Sequence, residues 1–184
     1  SFKFKLTNPN NPVVYNLIGI CYVNQQNPKE AVPYFRTALR LNKQYSEAKA
    51  NLGSALLMMG KVDDAILQLE ESLKENPKNA IGWNSLGNAL SQNTQLKQAQ
   101  TAFEQAINLA PQYLNAINSL GVLLNNMDEP TQAIKIFENG LKIDPNDRDI
   151  LTNLGYTLAD SGNITDAIKM LSKVVSLGRY NLDV

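Results

Sequence analysis

The residue type whose placement in this sequence could do chemistry is asparagine. It stands at Asn51, Asn84, Asn88, Asn115, Asn118, Asn125 and Asn153, among other positions. A carboxamide offers both hydrogen-bond donors and an acceptor. A ladder of such groups can grip the backbone of an extended peptide whatever its side chains. Asparagine is also a poor helix former, so a helical face enriched in it asks for a reason other than helix stability.

Other chemistries find little support. Histidine is absent, which removes the commonest general base and metal ligand. No GxxxxGK[ST], GxSxG, HExxH or CxxC motif occurs, so no catalytic, cofactor or metal site is expected. The acidic pairs Asp63-Asp64 and Glu70-Glu71, with Lys61 and Lys74 nearby, read as a solvated face. Cys21, the single cysteine, rules out an internal disulfide and reads as a small buried hydrophobe. Lys plus Arg equals Asp plus Glu at 17 each; net charge therefore makes no case for nucleic acid or an anionic membrane. No run of 18 apolar residues occurs, so no membrane insertion is expected.

The elements that must position the asparagines repeat. Gly19, Gly53, Gly87, Gly121 and Gly155 stand 34 residues apart without an insertion. Before each comes an aliphatic residue, Ile18, Leu52, Leu86, Leu120 or Leu154. Twelve residues after each is alanine, from Ala31 to Ala167, and sixteen after is Phe35, Leu69, Phe103, Phe137 or Leu171. Pro77, Pro111 and Pro145 follow at 24. Each period reads as two helices. Around the glycine, offsets −4, −1, 0 and +3 fall within about a quarter of a 3.6-residue wheel. A break comes about seven residues after the glycine, at Gly60-Lys61 and Gly162-Asn163 for example. Glycine inside a helix costs roughly 1 kcal/mol against alanine. Five at one register imply close approach of a neighbouring helix, with the second-helix alanine facing the glycine and the Phe/Leu filling the gap beyond.

The opposite arc of each first helix comprises offsets −6, −3, −2, +1, +4 and +5. Of these thirty positions, ten are asparagine, against 13 of the other 154 residues, and none is lysine or arginine. The first two repeats add an apolar patch from Leu17, Ile20, Val23, Leu57 and Met58, and the fifth adds Asp149 and Asp160. A ligand apolar at one end and neutral or basic at the other suits this composition.

Trp83, Leu86-Gly87, Leu90, Ala99, Phe103, Ala106 and Pro111, with their equivalents one period away, make the sequence similar to the tetratricopeptide repeat family. The resemblance implies an all-α fold: a right-handed superhelical solenoid of five tandem helix-turn-helix repeats, with partial repeats at both ends. The repeats are 12–45, 46–79, 80–113, 114–147 and 148–181, within a single solenoid domain spanning 1–184. Residues 1–11 read as the tail of a preceding repeat and 182–184 as the start of a further one, as in a fragment of a longer protein. Departures are local: Lys43 and Arg179 replace the terminal proline, Gly140 replaces a small alanine, and Pro33 lies inside a second helix, where it should bend the helix.

In this family the Asn-rich arc resembles the lining of a concave groove. The resulting expectation is a non-catalytic scaffold that binds a protein or extended peptide. Family members that clamp acidic chaperone tails do so with groove lysines and arginines; their absence here predicts no binding of such tails. Two other readings stay open. Asparagine-lined superhelices of this kind resemble the substrate-recognition arm of O-linked N-acetylglucosamine transferases, and the apolar patch offers a surface for self-association into a homo-oligomer.

Overall fold

The computed structural model describes residues 10–179 (of Arg179, the backbone alone). Of the flanking partial repeats expected from the sequence, residues 1–9 and 182–184 lie outside the described residues. Among the described residues ten α-helices follow one another: α1 (Pro12–Asn24), α2 (Pro28–Leu41), α3 (Ser46–Met58), α4 (Val62–Glu75), α5 (Ala80–Gln92), α6 (Leu96–Leu109), α7 (Leu114–Asn126), α8 (Pro130–Ile143), α9 (Arg148–Asp160) and α10 (Ile164–Arg179). No strand occurs among the described residues. Odd-numbered helices are the first helices of their periods and even-numbered ones the second. The fold is an all-α helical-repeat solenoid.

The helices form two compact units, divided between Asn93 and Thr94. In the first, α1 pairs with α2 and α3 with α4; α2 packs on α3 and α4 on α5, while α1, α3 and α5 touch in succession. In the second, α7 pairs with α8 and α9 with α10; α6 packs on α7, α8 on α9, and α7 on α9.

Sequence punctuation explains where the helices begin and end. Asn11, Asn79 and Asp147 cap α1, α5 and α9 by accepting the backbone N–H of Val13, Gly82 and Ile150, which satisfies an otherwise orphaned donor. Pro28 and Pro130 open α2 and α8, where a missing N–H costs nothing. Each hairpin turn holds one residue at positive φ: Gln26, Gly60, Thr94, Asp128 and Gly162, again 34 apart. Around Gly60 the Lys61 N–H reaches Leu56 O and the Gly60 N–H reaches Leu57 O, both at 2.9 Å. This is the paired bonding that closes a helix through a left-handed residue. α2 runs on through Pro33.

The glycine register has the packing cause expected of it, with one change of partner. A Cβ added at Gly19 would stand 2.5 Å from the ring of Phe35, and at Gly121 2.4 Å from that of Phe137. At Gly53 and Gly155 it would meet Leu69 and Leu171, each at 2.7 Å. The Phe/Leu residue sixteen further on covers the glycine directly. The alanine beside it is buried as well: Ala31, Ala65, Ala99, Ala133 and Ala167 are all core residues. Gly140 replaces alanine for a matching reason, since a Cβ there would lie 2.6 Å from Cδ1 of Ile150.

Cys21 departs from expectation. It is exposed, although its equivalents Ala55, Ala89, Leu123 and Thr157 are all buried.

Candidate functional site

The first helices carry the asparagines, and packing of one first helix on the next sorts them. In the first unit Asn51 Nδ2 donates to Asn16 Oδ1 at 3.0 Å. Asn16 is 2% exposed, and its own Nδ2 lies 3.4 Å from Tyr45 Oη. Burial raises the Tyr45 phenol above its ordinary range, and the nearby Glu47 carboxylate adds to this. In the second unit Asn153 Nδ2 donates to Asn118 Oδ1 at 2.8 Å. The two rungs are the same interaction three periods apart: offset −2 of one repeat reaches offset −3 of the repeat before.

Each rung uses one N–H of Asn51 or Asn153. Among the described residues nothing donates to the carbonyl oxygens of these two side chains, and both residues are partly buried. Asn84, on α5, is 7% exposed, and its Oδ1 is buried without a hydrogen-bond partner among the described residues. Such an acceptor costs about 1–3 kcal/mol if left unmet. Asn88 and Asn125 are partly buried and Asn115 is exposed. The seven asparagines therefore hold three kinds of place: rung members (Asn51, Asn118, Asn153), an unmet acceptor (Asn84), and side chains outside any rung (Asn88, Asn115, Asn125).

Asn16 is the rung member that the reading from sequence placed on this face but not among the site residues. Its signal was present: asparagine at offset −3 is followed 35 residues later by asparagine at offset −2, at Asn16/Asn51 and at Asn118/Asn153. Around these rungs the surface differs. In the first unit Leu17 is 54% and Met58 48% exposed, while Ile20, Val23 and Leu57 pack partly against the core. In the second unit α9 shows exposed Asp149, Tyr156 and Asp160.

The acidic pairs behave as solvated groups. Asp63, Asp64 and Glu70 are exposed, and Lys49 on α3 draws in the Glu75 carboxylate at 2.6 Å and that of Glu71 at 3.9 Å. Among the described residues no group of His, Cys, Asp and Glu could hold a metal ion, and no helix is long and apolar enough to cross a membrane. Two clefts lie on the other side of the repeats, between second helices. One of about 310 Å³ is floored by Leu39, Leu52 and Leu56. The other, of about 510 Å³, is floored by the equivalent Leu141, Leu154 and Leu158. Neither is lined by any of the seven asparagines.

No curated protein matches the sequence. Among solved structures, MamA from Desulfovibrio magneticus RS-1 is similar over 92% of this chain and 96% of its own, at 22% identity and a TM-score of 0.79. PilF of Pseudomonas aeruginosa is similar over 90% of this chain and 75% of its own, at 20% identity and 0.82. YrrB, described as a TPR protein with an unusual peptide-binding site, is similar over 92% and 87%, at 22% identity and 0.69. At such identities the likeness is one of fold. Two family models match: the TPR domain of cytochrome c-type biogenesis protein H over residues 60–183, and a tetratricopeptide repeat model over residues 22–89. With the 34-residue register, the glycine–Phe/Leu packing and these matches together, the chain belongs to the tetratricopeptide repeat family.

Proposed function

We propose that this chain is a non-catalytic interaction scaffold whose first-helix faces bind an extended polypeptide through asparagine carboxamides. The observation that carries the reading is the pair of equivalent rungs. Each holds a carboxamide in one orientation, so that the Asn51 and Asn153 carbonyl oxygens remain as fixed acceptors for a peptide N–H. Pre-orientation lowers the side-chain entropy lost on binding. Asn88, Asn115 and Asn125 lie outside the rungs and supply both donors and acceptors. The description of YrrB as having a peptide-binding site supports the class of ligand. The thirty face positions hold no Lys or Arg, so acidic carboxylate tails are not the ligand.

The test is peptide binding by fluorescence polarisation with the full chain. Asn51→Ala, Asn88→Ala and Asn125→Ala together should weaken a neutral extended peptide about tenfold or more, with helicity and thermal midpoint retained. Unchanged affinity in a folded triple variant removes the asparagine face as the site. Light scattering over a range of concentrations separates this from self-association: a constant monomer mass excludes a homo-oligomer built on Leu17 and Met58.

A further inference from the structure

α9 carries a line of side chains that the core does not use. Asp149, Tyr156 and Asp160 follow at spacings of seven and four, so they lie within about 40° of one another on the helix. Along the axis they stand roughly 10 and 6 Å apart. All three are exposed, and Tyr156 is 60% so. The equivalent positions on the neighbouring α7 are Asn115, Val122 and Asn126, also exposed and uncharged.

Charge in the second unit is segregated. All five lysines from Thr94 onward belong to the second helices α6, α8 and α10. α7 has no charged residue, and α9 has the two aspartates and one cation, Arg148. That cation is turned to α10: its Nη2 lies 3.6 Å from where a Cβ on Gly178 would stand. Among the described residues the ion pairs are those of Lys49, so neither aspartate has one. Helix stability accounts for Asp149 alone, which lies in the first turn of α9, where the dipole favours a carboxylate. Asp160 sits at the C-terminal end of α9, where the helix dipole disfavours a carboxylate, and a ring as exposed as that of Tyr156 withdraws little surface from water.

The geometry points to a basic segment of a partner polypeptide as the occupant of α9, with a lysine or arginine side chain on the face of Tyr156 between the two carboxylates. A cation over an aromatic ring is attracted by the ring's quadrupole, and the flanking carboxylates complement neighbouring cations. An extended chain advances about 3.3 Å per residue. The Tyr156–Asp160 spacing therefore matches two residues, which places alternate side chains of the peptide on the same face of α9. This rests on the peptide-binding reading above and names the ligand class for the second unit.

The experiment uses the full chain and three end-blocked, labelled nonapeptides: alternating Lys/Ala, alternating Glu/Ala, and alternating Leu/Ser. The lysine peptide should bind tightest of the three, and more weakly as salt is raised past the point where the Debye length falls below about 10 Å. Asp149→Asn with Asp160→Asn should lower its affinity about fivefold, and Tyr156→Ala about threefold, while Tyr156→Phe keeps it. The Leu/Ser peptide should be indifferent to all of these substitutions. A lysine peptide that binds no better than the glutamate peptide, or that ignores the double aspartate variant, overturns the inference. If the Leu/Ser peptide still binds in an Asn51-dependent way, the general reading survives that result. If none of the three peptides binds, both fall.

Discussion

The first-helix faces of the two units carry the same rung in different company. Asn16–Asn51 is set beside Leu17 and Met58, whereas Asn118–Asn153 is set beside Tyr156 and the α9 aspartates. The rung sits where one first helix packs on the next and both registers hold asparagine; at the α3–α5 contact the same registers are Ala50 and Ser85, which form no such pair. The exposed residues on the same helices, Leu17 and Met58 in one unit and Asp149, Tyr156 and Asp160 in the other, vary in kind. Architecture is thus shared between the units, and surface chemistry is local to each.

The lids over the glycines offer the largest effect by which that comparison can be broken. Gly121→Ala pushes a methyl group into the rigid ring of Phe137, whereas Gly53→Ala meets Cγ of Leu69 at 2.7 Å and the Ala65 carbonyl oxygen at 3.1 Å. Overpacking costs about 1–3 kcal/mol, and Gly121→Ala is expected at the upper end of that range with Gly53→Ala below it. Denaturant unfolding of both variants checks the order; equal losses would mean that both lids yield alike.

The rungs come next. Asn16 is buried and engaged at both ends of its carboxamide, while Asn118 is partly buried and accepts one bond. Asn16→Ala should cost about 1–3 kcal/mol and Asn118→Ala about 0.5–1.5. A reversed order, read from thermal and chemical unfolding together, would show that the two rungs are not energetic equivalents.

Thr94 sharpens the comparison of turns. It is a β-branched residue at φ 59° in the register that Gly60 and Gly162 fill at φ 73° and 81°. Left-handed backbone costs a non-glycine residue roughly 1–2 kcal/mol, part of which glycine returns as entropy in the unfolded chain. Thr94→Gly should raise stability by about 0.5–1 kcal/mol, and a lowered melting point would contradict the strain. The smallest effect belongs to α9. Asp160→Asn should stabilise by about 0.3–1 kcal/mol through the helix dipole while weakening the lysine peptide. A variant that lost both stability and binding would place Asp160 in the structure rather than in recognition.

Much of the fold was legible in the residues because its cause is local and repeated. Glycine at a fixed register, with Phe or Leu sixteen residues on, by itself states a close helix pair. The hairpin turns were legible where glycine or proline marks them, at Asn27-Pro28, Gly60-Lys61, Asp128-Glu129-Pro130 and Gly162-Asn163, and silent at Thr94, which adopts the same backbone without either residue. Of the asparagines, the enriched face could be read, but not which members of it were already engaged. That division depends on contacts 35 residues apart, which a wheel drawn for one helix does not contain. Cys21 misled as well: the register that is buried at Ala55, Ala89, Leu123 and Thr157 is exposed in α1.

By itself, the sequence determined the period, the helix pairs, the packing stripe and the face that bears the carboxamides. Hydrophobic periodicity and backbone preference act within a few residues, so they can be read along the chain. Only the tertiary structure decided that Asn16 and Asn118 hold Asn51 and Asn153 in place, that the Asn84 acceptor is buried unmet, and that Tyr156 stands out between two unpaired aspartates. Each of these is a matter of which polar atom another helix covers, satisfies or leaves open, and that is settled when the repeats stack.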